Sequence, residues 1–211
     1  MPRLEILSGL LLLLSAHVTS TPAPPQPKEC SYTVHMFYID ENGQDVGSFS
    51  ETMWFVSLAR EGKDKYQTPD GSKQYISYIN DYSTNRTFEV QPDGPCFSTP
   101  LGGNRVPFLY FPYFTYAGIS NCTDLNHQNT TCHQWKGCHA YEVPPAPFLL
   151  RATVEHNVPV ELVLRTIHQR YQFVAYSTDT PVDKLFQVPA NCSKAHDERS
   201  SAELHASSLL C

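Results

Sequence analysis

Two cysteine–histidine pairs, Cys132-His133 and Cys138-His139, are the first residues in this 211-residue chain whose types suit chemistry. Thiolate and imidazole both ligate zinc. Structural zinc sites, however, usually space their cysteines C-x-x-C, and secreted thiols are usually oxidised. Disulfides beside solvated histidines are therefore the better reading. A second candidate is Asp40-Glu41-Asn42-Gly43-Gln44-Asp45 with Glu51. Asp40 and Asn42 are candidate calcium ligands here. As an EF-hand the segment fails: Gln44 is a weak fifth ligand, Asp45 stands where glycine is needed, and the flanks read as strands. A hairpin tip with solvated carboxylates accounts for the same residues. No G-x-S-x-G elbow, H-E-x-x-H helix, phosphate-binding glycine loop or G-x-G-x-x-G occurs. A Ser/His/Asp triad needs no sequence neighbours, so a hydrolase with dispersed residues stays as the third functional reading. The expectation is a protein that is not an enzyme and has no cofactor, calcium excepted.

These residues sit in a chain that is sparsely charged (17%) and rich in aromatics (11 Phe, 12 Tyr, 2 Trp). Such a chain can bury a core, which argues against wholesale disorder. The net charge is −6 and no basic stretch is present. Nucleic acid is therefore a poor partner, and anionic membranes exert no strong pull.

Residues 1–20 read as a secretory signal peptide: Arg3, an apolar run containing Leu10 to Leu14, then Val18-Thr19-Ser20 with small residues before the cut. The run is too short to span a bilayer, so no transmembrane anchor is expected. All seven cysteines lie beyond it, as do four N-x-S/T sequons, at Asn85, Asn121, Asn129 and Asn191. Both features suit an oxidising, glycosylating route. Cysteine occupies the middle of the sequons at Asn121 and Asn191, which makes Asn85 and Asn129 the stronger sites. The expected location is extracellular, with the lysosome as alternative.

Four prolines between Thr21 and Lys28 predict an extended, exposed leader over 21–29. A single β domain is expected over 30–192 and a polar tail over 193–211. Tyr32, Val34, Met36 and Tyr38 alternate as in a strand. Asn42-Gly43 marks a tight hairpin turn, and Trp54, Val56 and Leu58 form the next stripe. Gln74 to Asp81 and Thr87 to Val90 read as a hairpin about Ser83-Thr84-Asn85. Val106 to Tyr116 is strongly aromatic but broken by Pro107 and Pro112, which confines it to a sheet edge or a loop packed on apolar surface. Asn121 to His139 is polar, and reads as a disulfide-pinned loop. Phe148 to Val154, Val158 to Leu164 and Tyr171 to Ala175 form a meander of three strands. Val182 to Phe186 is one helical turn at most.

The predicted fold is mostly β: an antiparallel sheet of about eight to ten strands, with few helices and several disulfides, curved into an open half-barrel or clam because one apolar face must be covered. Trp54, Val56, Leu150, Val160, Leu162 and Phe173 fall on alternating positions and are the expected lining of an apolar pocket. A one-residue slip in any strand would exchange its faces.

Several stretches resemble the ependymin-related family of secreted glycoproteins. These are Asn157-Val158-Pro159-Val160, Tyr171-x-Phe173, and Phe186-Gln187-Val188-Pro189-Ala190-Asn191-Cys192 after the acidic turn at Asp183. Tyr78-Ile79-Asn80-Asp81-Tyr82, Asn85-Arg86 and Asp93-Gly94-Pro95-Cys96 are similar to that family's central hairpin. Together they cover about a third of the mature chain. The resemblance implies a fold like that of bacterial lipoprotein carriers (LolA-like), with a deep apolar pocket and no enzymatic activity. It also implies lipid binding, calcium binding and roles in adhesion or matrix. It further implies pairing of Cys96 with Cys192 and of Cys30 with Cys138, leaving Cys122 and Cys132 to pair locally and Cys211 odd. The aromatic run and the histidine-rich segment depart from the family pattern.

The leading expectation is thus a secreted carrier of a lipid or other apolar small molecule. The alternative is a matrix or cell-adhesion protein, with calcium or a homodimer as further options, whose sheet is scaffold only.

Overall fold

The computed structural model of the protein describes residues 21–57, 60–64, 66–67, 73–74, 77–91, 95–101, 108–109, 111, 113–139, 146–190 and 192–194. Its strands are β1 (Cys30–Ile39), β2 (Asp45–Val56), β3 (Arg60–Asp64), β4 (Tyr66–Gln67), β5 (Lys73–Gln74), β6 (Ser77–Asp81), β7 (Arg86–Val90), β8 (Cys96–Pro100), β9 (Tyr113–Thr123), β10 (Asn129–His139), β11 (Ala146–Thr153), β12 (Pro159–Leu164), β13 (Gln169–Ser177) and β14 (Ser193–Lys194). Among the described residues a single 3-10 turn, Asp183–Phe186, lies between β13 and β14. Twelve strands make one open sheet in the order β14-β8-β7-β6-β3-β2-β1-β13-β12-β11-β10-β9, and β4 and β5 pair separately. Neighbours are antiparallel except β14 and β8, which run parallel. The protein is therefore mostly β and helix-poor, with an unclosed sheet, as the sequence predicts, though the strands are more numerous.

Local chemistry sets the turns. The β1–β2 and β9–β10 hairpins share one pattern, Asp40-Glu41-Asn42-Gly43-Gln44 and Asp124-Leu125-Asn126-His127-Gln128. In each, the aspartate Oδ1 accepts from the backbone N–H two and four residues on, at 2.9 and 2.8 Å for Asp40 and at 2.8 and 2.9 Å for Asp124. The fourth residue is left-handed, with φ of 82° at Gly43 and 61° at His127. Glycine takes that conformation freely, whereas histidine does so at some steric cost.

Register divides the sheet into two faces. On the inner face Trp135, Leu150, Leu162, Tyr171 and Met36 stand side by side across five strands. One residue along, on the opposite face, Gln134, Arg151, Glu161, Gln172, His35 and Glu51 form a polar row. Arg151 bonds Glu161 at 2.7 Å, and His35 bonds Glu51 at 3.0 Å. Beyond β2 the inner row becomes polar: Cys30 and Val56 are in register with Glu61, Asn80 and Thr87. There the opposite face turns apolar, with Phe55, Gly62, Ile79 and Phe88 in line. The 3-10 turn covers it. Phe186 is buried there beneath the Arg60 guanidinium, and Arg60 bonds Asp183 at 2.8 Å.

Three expectations are corrected. Asn121 to His139 is the end of β9, a tight turn and β10, rather than a loop. Its polarity hid it because β10 sets His133, Trp135 and Gly137 opposite the buried Ala152, Leu150 and Phe148, so only one of its inward residues is large and apolar. The leader is packed in part rather than wholly exposed: Pro24 and Pro25 are buried, whereas Thr21, Ala23, Gln26 and Lys28 are exposed. Cys30 is free and buried, while Cys138 is disulfide-bonded, so the two do not pair. In the sheet β1 and β10 are separated by three strands, roughly 19 Å at the usual strand spacing, whereas disulfide Cα atoms lie within about 7 Å. Cys96 does bond Cys192, with Cα atoms 4.4 Å apart, and Cys122 bonds Cys132 across the β9–β10 hairpin. The tail beyond Lys194 lies outside the described residues.

Candidate apolar groove

The inner face is filled by the chain itself. Trp54, Val56, Leu150, Leu162 and Phe173 belong to one buried cluster, together with Phe108, Leu109 and Phe111 from the proline-interrupted run. The Phe108 ring lies 5.0 Å from Trp54 and 4.9 Å from Tyr171, and the Phe111 ring lies 4.8 Å from Phe148. Five of the six residues expected to line a pocket are therefore together, in a packed core. Val160 is separated from them. Arg151 pairs with Glu161 and Ala152 with Pro159, so Val160 is the extra residue of a bulge. It lines a polar cavity of about 310 Å³ with Arg151, Glu161, Arg170 and Gln172.

The larger hollow lies at one end of the sheet. It has a volume of about 800 Å³ and is open to solvent. Tyr113 and Phe114 come from the start of the edge strand β9, Pro147, Phe148 and Leu149 from β11, and Lys136 from β10 between them. Arg165, in the β12–β13 turn, closes the rim. Tyr113 is 66% exposed, although its ring is large and apolar. Gly137 sets the floor. A Cβ there would come 2.1 Å from the Tyr113 carbonyl oxygen and 2.9 Å from Phe148 Cε1. Only glycine lets β9, β10 and the Phe148 ring approach so closely. Phe148 belongs both to the groove and to the core, so the two are adjoining apolar regions. The sequence signal for this site was the aromatic run ending at Tyr116. Lys136 and Arg165 carried none.

The other candidate residues are placed as follows. Asp40 spends Oδ1 on its own turn, and those backbone N–H groups, that of Gln44 first, hold its carboxyl below the usual range. Asn42 is exposed beside it. Among the described residues no group of three or more His, Cys, Asp or Glu is arranged to hold a metal. Cys132 is in a disulfide, while His133 faces Tyr116, its Nδ1 2.9 Å from the phenol oxygen. Cys30 is unsuited to nucleophilic work. Burial, and next the charge of Glu61, push its thiol up to about 12. Asn85, Asn121 and Asn129 are exposed, as glycan attachment requires; Asn191 lies outside the described residues. No helix among the described residues is long and apolar enough to cross a membrane.

No protein-family model matches the chain, and no curated protein matches it. Solved structures align with it. An uncharacterized conserved protein from Thermus thermophilus aligns with a TM-score of 0.51 and 9% identity, over 80% of this chain and 90% of its own. PNGF-II aligns with a TM-score of 0.36 and 6% identity over 80% of this chain, which spans 31% of the PNGF-II chain. At 9% identity the likeness to the Thermus protein is one of fold alone.

Proposed function

We propose that the protein is a secreted N-glycoprotein that carries an apolar ligand with an anionic end, of the fatty-acid class, in the groove between β9, β10 and β11. The observation that carries this reading is the pairing of apolar walls with two exposed cations, Lys136 and Arg165, on one open hollow of about 800 Å³. Ligand sites combine mainly apolar linings with a few placed polar groups. Ten buried methylenes contribute about 8 kcal/mol at about 0.8 each, before ordering costs. The cations then select the headgroup. The disulfides and the exposed sequons are compatible with an extracellular life, and the resemblance to the ependymin-related family supports lipid binding. Titration with a fluorescent fatty acid tests the reading. Lys136→Glu with Arg165→Glu should weaken an anionic probe at least tenfold and spare a neutral one, whereas Phe114→Asp should weaken both. If the wild type takes up no apolar probe saturably between pH 4.5 and 7.5, the carrier reading fails.

A second reading, adhesion to an extracellular protein, has its own observation. The edge strand β9 carries no charged residue over its 11 positions and leaves Ile119 60% exposed. Uncharged edges are templates for strand pairing. Ile119→Lys should abolish such adhesion while leaving lipid uptake intact.

A further inference from the structure

Near Trp135 the inner face holds a peptide ligand, and that ligand is the chain's own leader. Trp135 is wholly buried, yet its indole N–H donates to the carbonyl of Pro22 at 2.8 Å. The Asn157 side-chain amide donates to the carbonyl of Ala23 at 3.4 Å. In the other direction, the Gln26 side chain donates to the carbonyl of Phe111 at 2.8 Å. Pro24 and Pro25, between these contacts, are buried. Tyr116 and His133 flank the indole, with ring centres 6.1 and 5.7 Å away.

This arrangement matches how extended proline-rich segments are recognised. Proline has no N–H, so such a segment offers carbonyls only, and its receptor must supply donors and aromatic surface. Trp135 and Asn157 are donors of that kind. The segment also loses little entropy on docking, because proline has already fixed its φ.

We propose that the surface built by Trp135, Tyr116, His133 and Asn157 is a recognition site for an extended proline-rich peptide, occupied in cis by residues 22–26. Once vacated, it takes a proline-rich segment of another secreted chain. Tethering makes cis occupancy easy: at an effective concentration of about 1 mM, a peptide of about 100 µM affinity would keep the site about 90% closed. The leader is thus an intramolecular plug, and cutting the chain after Lys28 frees the surface. The inference is independent of the lipid groove, which uses other residues.

A specific protease site placed between Lys28 and Glu29 of the full secreted protein tests this. The folded protein is cut and dialysed, then titrated with a fluorescein-labelled peptide of residues 21–28 while anisotropy is read. Uncut protein should bind about tenfold more weakly than cut protein. Cut protein should bind saturably, and at least tenfold more weakly when the four prolines of the peptide are alanines. Cut, folded protein that ignores the peptide, or that binds the alanine version equally well, overturns the proposal. If cutting unfolds the chain, the intact Pro24→Ser/Pro25→Ser variant replaces it. That variant should now bind the labelled wild-type peptide, and failure to bind equally overturns the proposal.

Discussion

The backbone N–H of Phe108 donates to Oε1 of Glu61 at 2.8 Å, joining the aromatic plug of Phe108 and Phe111 to strand β3 across 47 residues of sequence. The other carboxylate oxygen accepts from the Tyr82 hydroxyl at 3.0 Å and from the Asn80 amide at 3.4 Å. Thr87 in turn donates to Asn80 at 2.9 Å. Glu61 is 1% exposed. A carboxylate so deeply buried is tolerated because donors converge on it.

Glu61→Ala removes the acceptor that those donors share. At about 1–3 kcal/mol for each stranded group, the loss should reach about 3 kcal/mol or more by urea denaturation. Glu61→Gln, which keeps an acceptor oxygen, should lose less. Trp54, stacked on Phe108, should report the loosened plug through a shift in its emission. Equal stability of the alanine variant would show that the plug needs no anchor.

Cys30 and Tyr176 should make the fold sensitive to base. Burial is the main cause of both shifts. It raises Cys30 from 9.0 to about 12, helped by Glu61, and Tyr176 from 10.0 to about 12, helped by Cys30. The unfolded chain releases these protons first. Their contribution is therefore complete below about pH 9, and declines as pH rises toward 12. Cys30→Ala and Tyr176→Phe should flatten that decline in a pH series of melting temperatures. At pH 8 the folded protein should resist alkylation at Cys30, whereas the unfolded protein reacts.

The Cys96–Cys192 and Cys122–Cys132 disulfides should differ in worth. Cys96–Cys192 spans 96 residues and Cys122–Cys132 spans 10. Chain entropy alone gives about 4.7 and about 2.7 kcal/mol respectively. Replacing Cys96 and Cys192 by alanine should abolish secretion or sharply lower Tm. Replacing the other pair should leave a secreted, less stable protein. The reverse order would mean that native-state effects outweigh loop length.

Gly137→Ala should destabilise the fold. The clash with the Tyr113 carbonyl and the Phe148 ring must be relieved by moving β9. Overpacking of this kind costs about 1–3 kcal/mol. The variant should also lose apolar probe uptake, because the same shift deforms the groove. Unchanged stability and uptake would place the groove elsewhere.

Much of this was legible in the residues. Alternation in Tyr32 and Val34, in Trp54 and Val56, and in Leu150, Leu162 and Phe173 placed them correctly on one buried face. Asn42-Gly43 fixed the first hairpin. Other features were not legible. Val160 obeys the same alternation and leaves the stripe because a bulge beside Arg151 adds one residue to β12. Asn121 to His139 reads as a loop because the inward row of β10 is His133, Trp135 and Gly137, with one large apolar residue, which removes the periodic signal.

The sequence by itself determined the strand-rich, helix-poor fold, the apolar stripes and the turn chemistry, since these follow from side-chain type and near neighbours. Only the tertiary structure decided what covers the stripes. The docking of Phe108 and Phe111 onto the sheet, the capture of the proline leader by Trp135, the free state of Cys30 and the meeting of Lys136 with Arg165 at one groove all join segments distant in sequence. Such contacts depend on strand order and register, which local patterns do not encode.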